Sequence, residues 1–204
     1  MLFTRFAPSP TGYLHRGHLL SALFVFAAAD LFSAKVRLRI EDHDKSRARK
    51  EYIDSIPEDL ERFGFKFESL SLQSNRQALY EKYAQLLFSK QKLYPCSCSR
   101  KKLFEENPVN ADGEVIYSGH CLKNPIDKNS DFALRFKTPD KTITWEDLLL
   151  GKFEENPKNQ CGDFTIKDRI SQWTYQFAVC VEDLEENIGH VVRGEDLRNS
   201  TARQ

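Results

Sequence analysis

Two histidines lie close to the amino terminus in a segment that could hold phosphate. His15 and His18 are three residues apart with Gly17 between them, and Gly12 precedes them. Backbone N–H groups at the start of a helix, with the positive end of its dipole, favour anions, and glycine lets the backbone approach a ligand closely. A lone histidine is more often structural, but two around a glycine at a predicted helix start favour a nucleotide-phosphate site, where the imidazoles would donate to phosphate oxygens.

Two pairs of potential metal ligands lie further along the chain. Cys96 and Cys98 form the first pair, and Cys121 forms the second with either Tyr117 or His120. Two such pairs suit a closed tetrahedral zinc site, which would order a segment too polar to fold by burial alone. Residue type alone favours His120 as the fourth ligand, because imidazole binds zinc far more often than phenolate does. Three cysteines without a metal are the alternative.

The elements that must position these residues begin with a βαβ unit. Leu2–Phe6 has the pattern of a short buried strand, Leu19–Phe32 that of a buried helix, and Lys35–Ile40 alternates like a second strand. This order of elements implies a parallel sheet. Ser74 and Gln77 then have the spacing of a capping box at the start of another helix.

The later part of the chain indicates an insertion followed by the rest of the same domain. Residues 94–131 lose periodicity and are rich in Pro, Asn, Gly and Lys, whereas His190–Arg193 again has the pattern of a buried strand. We therefore predict a Rossmann-type α/β domain with a parallel sheet. Its halves are residues 1–93 and 132–204, and residues 94–131 form an inserted zinc-binding subdomain.

Composition predicts a soluble chain with no membrane segment. Its 204 residues are 40% hydrophobic, which suffices for a genuine core at this length. No apolar run is long enough to span a bilayer, and Pro8 and Pro10 interrupt the amino terminus, so we expect a cytoplasmic protein without a signal peptide. Thirty basic residues balance thirty acidic ones, which excludes a global electrostatic attraction to nucleic acid. Clustered cysteines in such a chain favour a metal over disulfides.

An ordered series of motifs gives a resemblance to a known family. The segments that carry it are Arg5–Leu23 with its His-Arg-Gly-His sequence, Arg39–Asp44, Gln73–Arg76, Gly162–Phe164, Val181–Asp183 and Arg193–Asp196. They resemble the glutamyl branch of the class I aminoacyl-tRNA synthetases over essentially the whole chain. The short, compact form with a zinc insertion is similar to the glutamyl-queuosine tRNA(Asp) synthetases within that branch.

This resemblance implies a reaction and its partners. The implied enzyme is a ligase that activates L-glutamate with ATP and Mg²⁺ to glutamyl-adenylate, without needing tRNA. It then attaches the glutamate to the queuosine base of tRNA(Asp). The expected protein is a monomer with a structural Zn²⁺ ion.

The resemblance also assigns a glutamate site. The implied residues are Arg5, Ser9, Glu41, Tyr175 and Arg193. Glu41 would pair with the ammonium group and the two arginines with the two carboxylates. Arg5, Glu41 and Arg193 each lie at the carboxyl end of a predicted parallel strand, where such sheets bind ligands.

Nucleotide and metal ligands follow from the same resemblance. The implied ATP site consists of Pro8, Thr11, Gly12, His15, Gly17 and His18. His15 and His18 are the candidate catalytic pair, because they would stabilise phosphate charge. The implied zinc ligands are Cys96, Cys98, Tyr117 and Cys121. The resemblance thus favours Tyr117, with His120 as the alternative.

The family's second signature, a lysine-rich loop that grips the ATP phosphates, is expected after the final helix. The sequence ends at Ser200–Gln204 without a Lys-Met-Ser-Lys-Ser-like loop. We therefore expect a truncated or processed fragment, or a naturally shortened paralogue. Two alternative functions follow: a fragment of an ordinary glutamyl-tRNA synthetase, or a catalytically impaired module that binds glutamate, a nucleotide or RNA.

Overall fold

A computed structural model describes residues 1–43, 47–124, 126 and 131–204. These residues form two compact units. The first contains Met1–Tyr80 and Ala178–Arg198, and the second contains Glu81–Phe177 and Asn199–Gln204. The predicted domain boundaries around residues 94–131 stay predictions. Asp44, part of one predicted motif, lies outside the described residues.

A three-stranded parallel sheet forms the centre of the first unit. Strands β1 (Phe3–Phe6), β2 (Lys35–Ile40) and β3 (Ser69–Leu72) lie in the order β1-β2-β3. Helices α1 (Arg16–Leu31) and α2 (Lys50–Arg62) connect them. The predicted βαβ unit and its parallel sheet are confirmed.

Apolar side chains from this sheet and its helices pack into one core. Its buried members are Phe6, Ala22, Val25, Ala29, Val36, Leu38, Ile40, Ile56 and Leu60. This core holds the strands in fixed positions. The residues that follow each strand are therefore held at the edge of the sheet. A 3-10 helix (Gln73–Arg76) follows β3 and leads into α3 (Gln77–Ser89).

The second unit contains two antiparallel sheets. Strands β4 (Leu93–Cys96), β5 (Ala133–Phe136) and β8 (Thr165–Lys167) form one sheet, and β6 (Ile143–Asp147) and β7 (Gly151–Glu155) form a hairpin. Three short helices connect them: α4 (Arg100–Glu106), α5 (His120–Lys123) and α6 (Pro157–Cys161). A longer helix, α7 (Tyr175–Glu185), and a 3-10 helix (Glu195–Ser200) complete the chain. No helix among the described residues has the length and apolar composition needed to cross a bilayer.

Helix α1 is less buried than its sequence predicts. Ala22, Val25 and Ala29 face the core, but Leu20 and Phe24 remain more than half exposed. A helix against one face of a sheet buries only one stripe of its surface. An apolar run therefore identified the helix but could not show how much of it is covered.

The predicted capping box at Ser74 is wrong. Ser74 lies inside the 3-10 helix, and its backbone N–H and hydroxyl donate to the carboxylate of Asp42, at 2.8 and 2.6 Å. A nearby carboxylate is a stronger acceptor than the amide that the box assigned to Gln77. Ser74 therefore anchors the acidic turn after β2.

The predicted strand at His190–Arg193 is also absent from the structure. The chain there is irregular, and it meets β1 through a parallel bridge between Ile188 and Phe3 and through backbone N–H groups that donate to the carbonyl of Phe3. Val191 is half exposed, so the apolar pair in this segment does not belong to a buried strand.

Candidate active site and metal centre

The two amino-terminal histidines build the start of α1. The Nδ1 atom of His15 accepts from the backbone N–H of Gly17 at 3.1 Å, and Nδ1 of His18 accepts from the N–H of His15 at 3.3 Å. Their rings stack with centroids 3.9 Å apart. This reciprocal arrangement is a capping box made by imidazoles in place of the usual hydroxyl and carboxylate.

The cap fixes which ring atoms face outward as donors. Because each Nδ1 accepts a backbone hydrogen bond, a neutral ring carries its proton on Nε2. Burial, and then the neighbouring His15, lower the pKa of His18, which keeps that ring neutral at physiological pH. Two Nε2–H groups at a helix start can therefore donate to phosphate oxygens.

Gly17 is required by this cap. A Cβ atom at this position would lie 3.0 Å from Cε1 and 3.2 Å from Nδ1 of the His15 ring. Gly12, by contrast, has open space around it. The turn that precedes Gly12 is held to the end of β2 through the carbonyl of Pro8, which accepts from the N–H of Glu41 at 3.0 Å. Within this turn, the N–H of Thr11 donates to the carbonyl of Ser9.

Glu41 follows β2 directly and is a buried carboxyl group. Burial raises its pKa to about 7, although Arg39 and Arg5 act to lower it. A buried carboxyl group that titrates near neutrality is typical of a functional site. Glu41 can accept a proton, or a cation, at physiological pH.

Arg5 is held with its guanidinium pointing in a fixed direction. Its Nε donates to the carboxylate of Asp183 at 3.1 and 3.3 Å, and its Nη1 donates to the carbonyl of Val192 at 3.1 Å. Only 4% of Arg5 is exposed. Since Val192 precedes Arg193, the structure brings β1, α7 and the segment carrying the second predicted arginine together.

The other predicted glutamate residues are placed less directly. Burial, and then Asp183, raise the pKa of Cys180 to about 12, and Arg193 opposes this shift, so Arg193 lies near α7. Ser9 follows Arg5 by four residues in the sequence and is exposed. Tyr175 is the first residue of α7, is half-buried and belongs to the second unit.

A buried charge network beside Arg5 was not assigned from the sequence. Arg39 is fully buried, and its guanidinium lies 3.4 Å from Glu182, 2.6 Å from Asp183 and 2.7 Å from Glu186. Burial acts to lower the pKa of Arg39, but these carboxylates outweigh it and raise the pKa. One arginine on the central strand therefore ties β2 to α7.

Polar side chains complete the network around Glu182. Its carboxylate accepts from Nε2 of Gln73 at 2.7 Å and from the hydroxyl of Tyr80 at 2.8 Å. His43 hydrogen-bonds the other end of the Gln73 amide. Burial raises the pKa of Glu182, while Arg39 and these two donors oppose the rise. One feature of the sequence could have indicated this network: several acidic residues lie in an otherwise apolar helix. Acids buried in such a helix need a buried cation to neutralise them.

The predicted metal ligands converge in the second unit. The Sγ atoms of Cys96, Cys98 and Cys121 all lie within 4.8 Å of one another. The hydroxyl oxygen of Tyr117 lies 3.5 Å from the first thiol and 3.6 Å from the second, and it accepts from the N–H of Cys121 at 2.9 Å. Three sulfurs and one phenol oxygen thus point toward one small volume, which matches the donor number of a tetrahedral zinc site.

His120 faces away from this cluster. Its Nε2 lies 3.1 Å from Nζ of Lys102, and its Nδ1 lies 4.0 Å from the carboxylate of Glu106. In the part of the chain that the structure describes, the group of thiols does not include this imidazole. The arrangement therefore favours Tyr117, the ligand that the resemblance implied.

The thiols of the cluster differ in acidity. Burial raises the pKa of Cys98 to about 11. Burial acts in the same direction on Cys121, but hydrogen bonds from Tyr117 and Cys98 outweigh it and lower the pKa to about 7. One thiol is thus ready to lose its proton, which a soft cation such as Zn²⁺ requires of its sulfur ligands.

Two contacts hold the Tyr117 ring in place. Its backbone forms a bridge with Gly162, where an added Cβ would lie 2.1 Å from the carbonyl oxygen of Tyr117. The guanidinium of Arg135 lies 3.8 Å from the centre of the Tyr117 ring and donates to the carbonyl of Asp163 at 2.6 Å. The phenol position is therefore set by close backbone packing and by a stacked cation.

Comparison with known proteins agrees with this geometry. Residues 1–204 match the sequence profile described as tRNA synthetases class I (E and Q), catalytic domain. The chain is 38% identical to a glutamyl-Q tRNA(Asp) synthetase of Neisseria meningitidis serogroup B, over 98% of this chain and 69% of the relative. It is 37% identical to a glutamate–tRNA ligase of Aquifex aeolicus, over 98% of this chain and 44% of the relative.

A solved structure shows the same fold. It is a glutamate tRNA ligase from Elizabethkingia meningosepticum in complex with its amino acid, with a TM-score of 0.83 and 28% identity. The match covers 99% of this chain and 45% of that one, so the chain spans less than half of the solved protein. Sequence and fold together show that the chain belongs to the class I tRNA synthetases for glutamate and glutamine, a family of ATP-dependent ligases, as their catalytic domain.

Proposed function

We propose that this protein activates L-glutamate with ATP and Mg²⁺ and transfers the glutamyl group to the queuosine base of tRNA(Asp). The observation that carries the proposal is one arrangement in the first unit. A buried carboxyl group, Glu41, and a fixed arginine, Arg5, lie at the sheet edge, and the segment of Arg193 meets Arg5 there. Charges of both signs at this edge suit an amino acid with two carboxylates and one ammonium group.

Each charge has a role toward glutamate. Glu41 receives the ammonium group, and Arg5 and Arg193 receive the two carboxylates. Asp183 and the carbonyl of Val192 occupy one side of the Arg5 guanidinium, which leaves its remaining N–H groups for the ligand. Ser9 and Tyr175 stay predicted contributors on the resemblance.

The nucleotide part of the site uses the capped start of α1. The Nε2–H groups of His15 and His18 would donate to phosphate oxygens as a glutamate carboxylate attacks the α-phosphorus and pyrophosphate leaves. Gly17 and Gly12 keep side chains out of this space. Mg²⁺, bound with ATP, would supply further charge compensation on the phosphates.

We place a structural Zn²⁺ ion on Cys96, Cys98, Tyr117 and Cys121. The donor set fits, because three thiol sulfurs and a phenol oxygen already surround one small volume. Such an ion would fix the end of β4 against the loop before α5 without taking part in the reaction.

The choice of queuosine over the tRNA 3′ end rests on likeness to the Neisseria relative, to which the chain is 38% identical. A fragment of an ordinary glutamyl-tRNA synthetase, and an impaired module that binds glutamate, nucleotide or RNA, are the competing proposals. A cytoplasmic monomer completes the proposal.

Glutamate-dependent exchange of labelled pyrophosphate into ATP, without tRNA, tests the activation step. We expect exchange by the unaltered chain and a loss of about 100-fold in Arg193→Ala, because a charged hydrogen bond contributes up to about 3 kcal/mol. Arg62→Ala, which removes an exposed arginine of α2, is the matched control and should exchange normally. Background exchange by the unaltered chain would favour the impaired module instead.

The raised pKa of Glu41 makes a prediction about pH. Below about pH 7 the carboxyl group of the free protein is protonated, and the ammonium group of glutamate must displace that proton to bind. Affinity should therefore fall as pH falls, by about tenfold from pH 8 to pH 6. Calorimetry in buffers of different ionisation enthalpy should detect proton release on binding at pH 6.

Glu41→Gln is the control for this pH dependence. Glutamine cannot titrate, so the variant should bind glutamate weakly and with the same affinity across this range. A flat profile for the unaltered chain would remove Glu41 from the ammonium site, while leaving Arg5 and Arg193 as carboxylate partners.

A further inference from the structure

A cavity in the second unit lies beside the metal ligands and outside the proposed glutamate and ATP sites. Its volume is about 320 Å³, at the small end of the range for ligand sites. Cys96 and Cys98 form one wall. The other residues that the argument uses are Leu103, Ala133, Arg100, Arg169, Arg135 and Ile170.

Two exposed arginines line this cavity without an acidic partner. Within the described parts of the chain, the guanidinium groups of Arg100 and Arg169 make no ion pair and no hydrogen bond, and the nearest ring to Arg100 is 6.0 Å away. The next basic residues in α4 differ, since Lys101 and Lys102 lie 3.7 and 3.8 Å from glutamates one turn later. The cavity therefore has cations available for an anionic ligand.

The single acid that lines the cavity is already occupied. The carboxylate of Asp168 accepts from the N–H of Ile170 at 3.0 Å and from the N–H of Gln172 at 2.8 Å. These bonds close the loop after β8 into a fixed turn, on which Arg169 and Ile170 project. The turn is thus organised before any ligand arrives, which lowers the entropy lost on binding.

A buried donor in the lining also lacks a partner. Arg135 is 7% exposed, and its Nη1 is used by the carbonyl of Asp163. Its Nε has no hydrogen-bond partner among the described residues. Buried donors are almost always satisfied by protein, water or ligand, so Arg135 brings an unsatisfied donor to the lining of the cavity.

The remaining surface of the cavity is apolar. Leu103 and Ala133 are partly buried, and Ile170 is three-quarters exposed at the rim. An apolar surface between unpaired guanidinium groups is the combination that holds an unstacked base and its flanking phosphates. A volume this small suits one unpaired nucleotide and not a duplex.

We infer that this cavity binds an unpaired nucleotide of an RNA chain, with the base against Leu103 and Ile170 and the phosphates on Arg100 and Arg169. The inference rests on the proposed function, which requires an RNA substrate, and it names a surface of the second unit that would hold part of that RNA. Because Cys96 and Cys98 form one wall, binding of the proposed metal ion to their thiols would also fix the shape of the cavity.

Fluorescence anisotropy with a labelled, unstructured oligouridylate tests the inference. Arg100→Ala/Arg169→Ala should bind at least tenfold more weakly than the unaltered chain. For this double variant, the slope of log affinity against log salt concentration should be shallower by about 1.4, which is the value for two lost phosphate contacts to a single strand. Ile170→Asn should weaken binding but leave this salt dependence unchanged, because it alters only the base contact.

Lys141→Ala/Lys152→Ala is the matched control. It removes the same charge from two exposed lysines around β6 and β7, outside the cavity lining. An equal loss in this control would show unspecific attraction, and equal competition by duplex RNA would exclude an unpaired nucleotide; either result overturns the inference.

Pyrophosphate exchange separates this inference from the proposed function. The two arginine substitutions should leave glutamate-dependent exchange unchanged, since neither residue belongs to the glutamate or ATP site. Normal exchange with undiminished RNA binding would overturn only the cavity assignment. Absent exchange in the unaltered chain, with RNA binding that depends on the arginines, would support the cavity and contradict the activation step.

Discussion

Arg39→Met should lower the free energy of unfolding by about 3–5 kcal/mol at neutral pH, the range for removing one partner of a buried ion pair. The substitution nearly preserves side-chain volume but leaves Glu182 buried without its cation, and Glu186 with Arg76 at 3.3 Å in place of two arginines. It also removes one of the two arginines that fix Asp183. Glutamate binding should weaken as well, because Arg5 shares this carboxylate.

The loss in the free energy of unfolding of Arg39→Met should grow as pH rises. Arg39 is among the influences that lower the pKa of Glu182, so without it this pKa rises further above the unfolded value. A carboxyl group with a raised folded-state pKa is tolerated while it is protonated and destabilises the fold as pH rises through that pKa. The variant should therefore be closer in stability to the unaltered chain at pH 5 than at pH 8.

Urea denaturation of Arg37→Met provides the comparison. Arg37 lies two residues earlier on β2, where it stacks 4.0 Å from the centre of the Phe3 ring and donates weakly to Ser69 at 3.4 Å. Its loss should cost about 1 kcal/mol or less. Equal losses in the two variants would contradict a central role for the Arg39 network.

Gly162→Ala should abolish binding of the zinc ion that we propose. The new methyl group would lie 2.1 Å from the carbonyl oxygen and 2.7 Å from the backbone nitrogen of Tyr117, so the backbone must separate. That movement takes the phenol oxygen away from the thiols of Cys96 and Cys98. Loss of metal should unfold the segment that it orders, because the free energy of metal binding contributes directly to folding.

Gly151→Ala isolates the effect of the backbone angle. Both glycines have positive φ, 63° at Gly162 and 89° at Gly151, but no atom lies within 4 Å of the Cβ position at Gly151. The control should lose about 1–2 kcal/mol from the left-handed conformation and keep its zinc. Metal content measured after purification distinguishes the two, and full zinc in Gly162→Ala would refute the assigned ligand geometry.

The sequence predicted the βαβ part of the first unit well because its signals are local. An alternating run predicted β2 with the bounds that the structure has, and a glycine between two histidines marked the start of α1. The alternation of Lys35–Ile40 could not show that Arg39 is fully buried. That depends on three carboxylates about 145 residues away, which no local pattern reports.

At the proposed metal centre, too, local sequence patterns could not report contacts that depend on tertiary structure. Spacing identified the cysteines, but residue type alone preferred His120 to Tyr117. The choice depends on where the αL residue Gly119 turns the chain and on the close approach of Gly162 to Tyr117. Both are features of tertiary packing, which residue type does not report, so Tyr117 stays a proposed ligand that the family resemblance and the geometry favour.

The paired imidazoles at the start of α1 make the first turn of this helix sensitive to acid. A proton added to either ring must go to Nδ1, the atom that already accepts a backbone amide. Cationic histidines normally hold anions more tightly, but here acidification would undo the first turn of the helix. The burial that lowers the pKa of His18 therefore preserves this cap, because it keeps that ring uncharged.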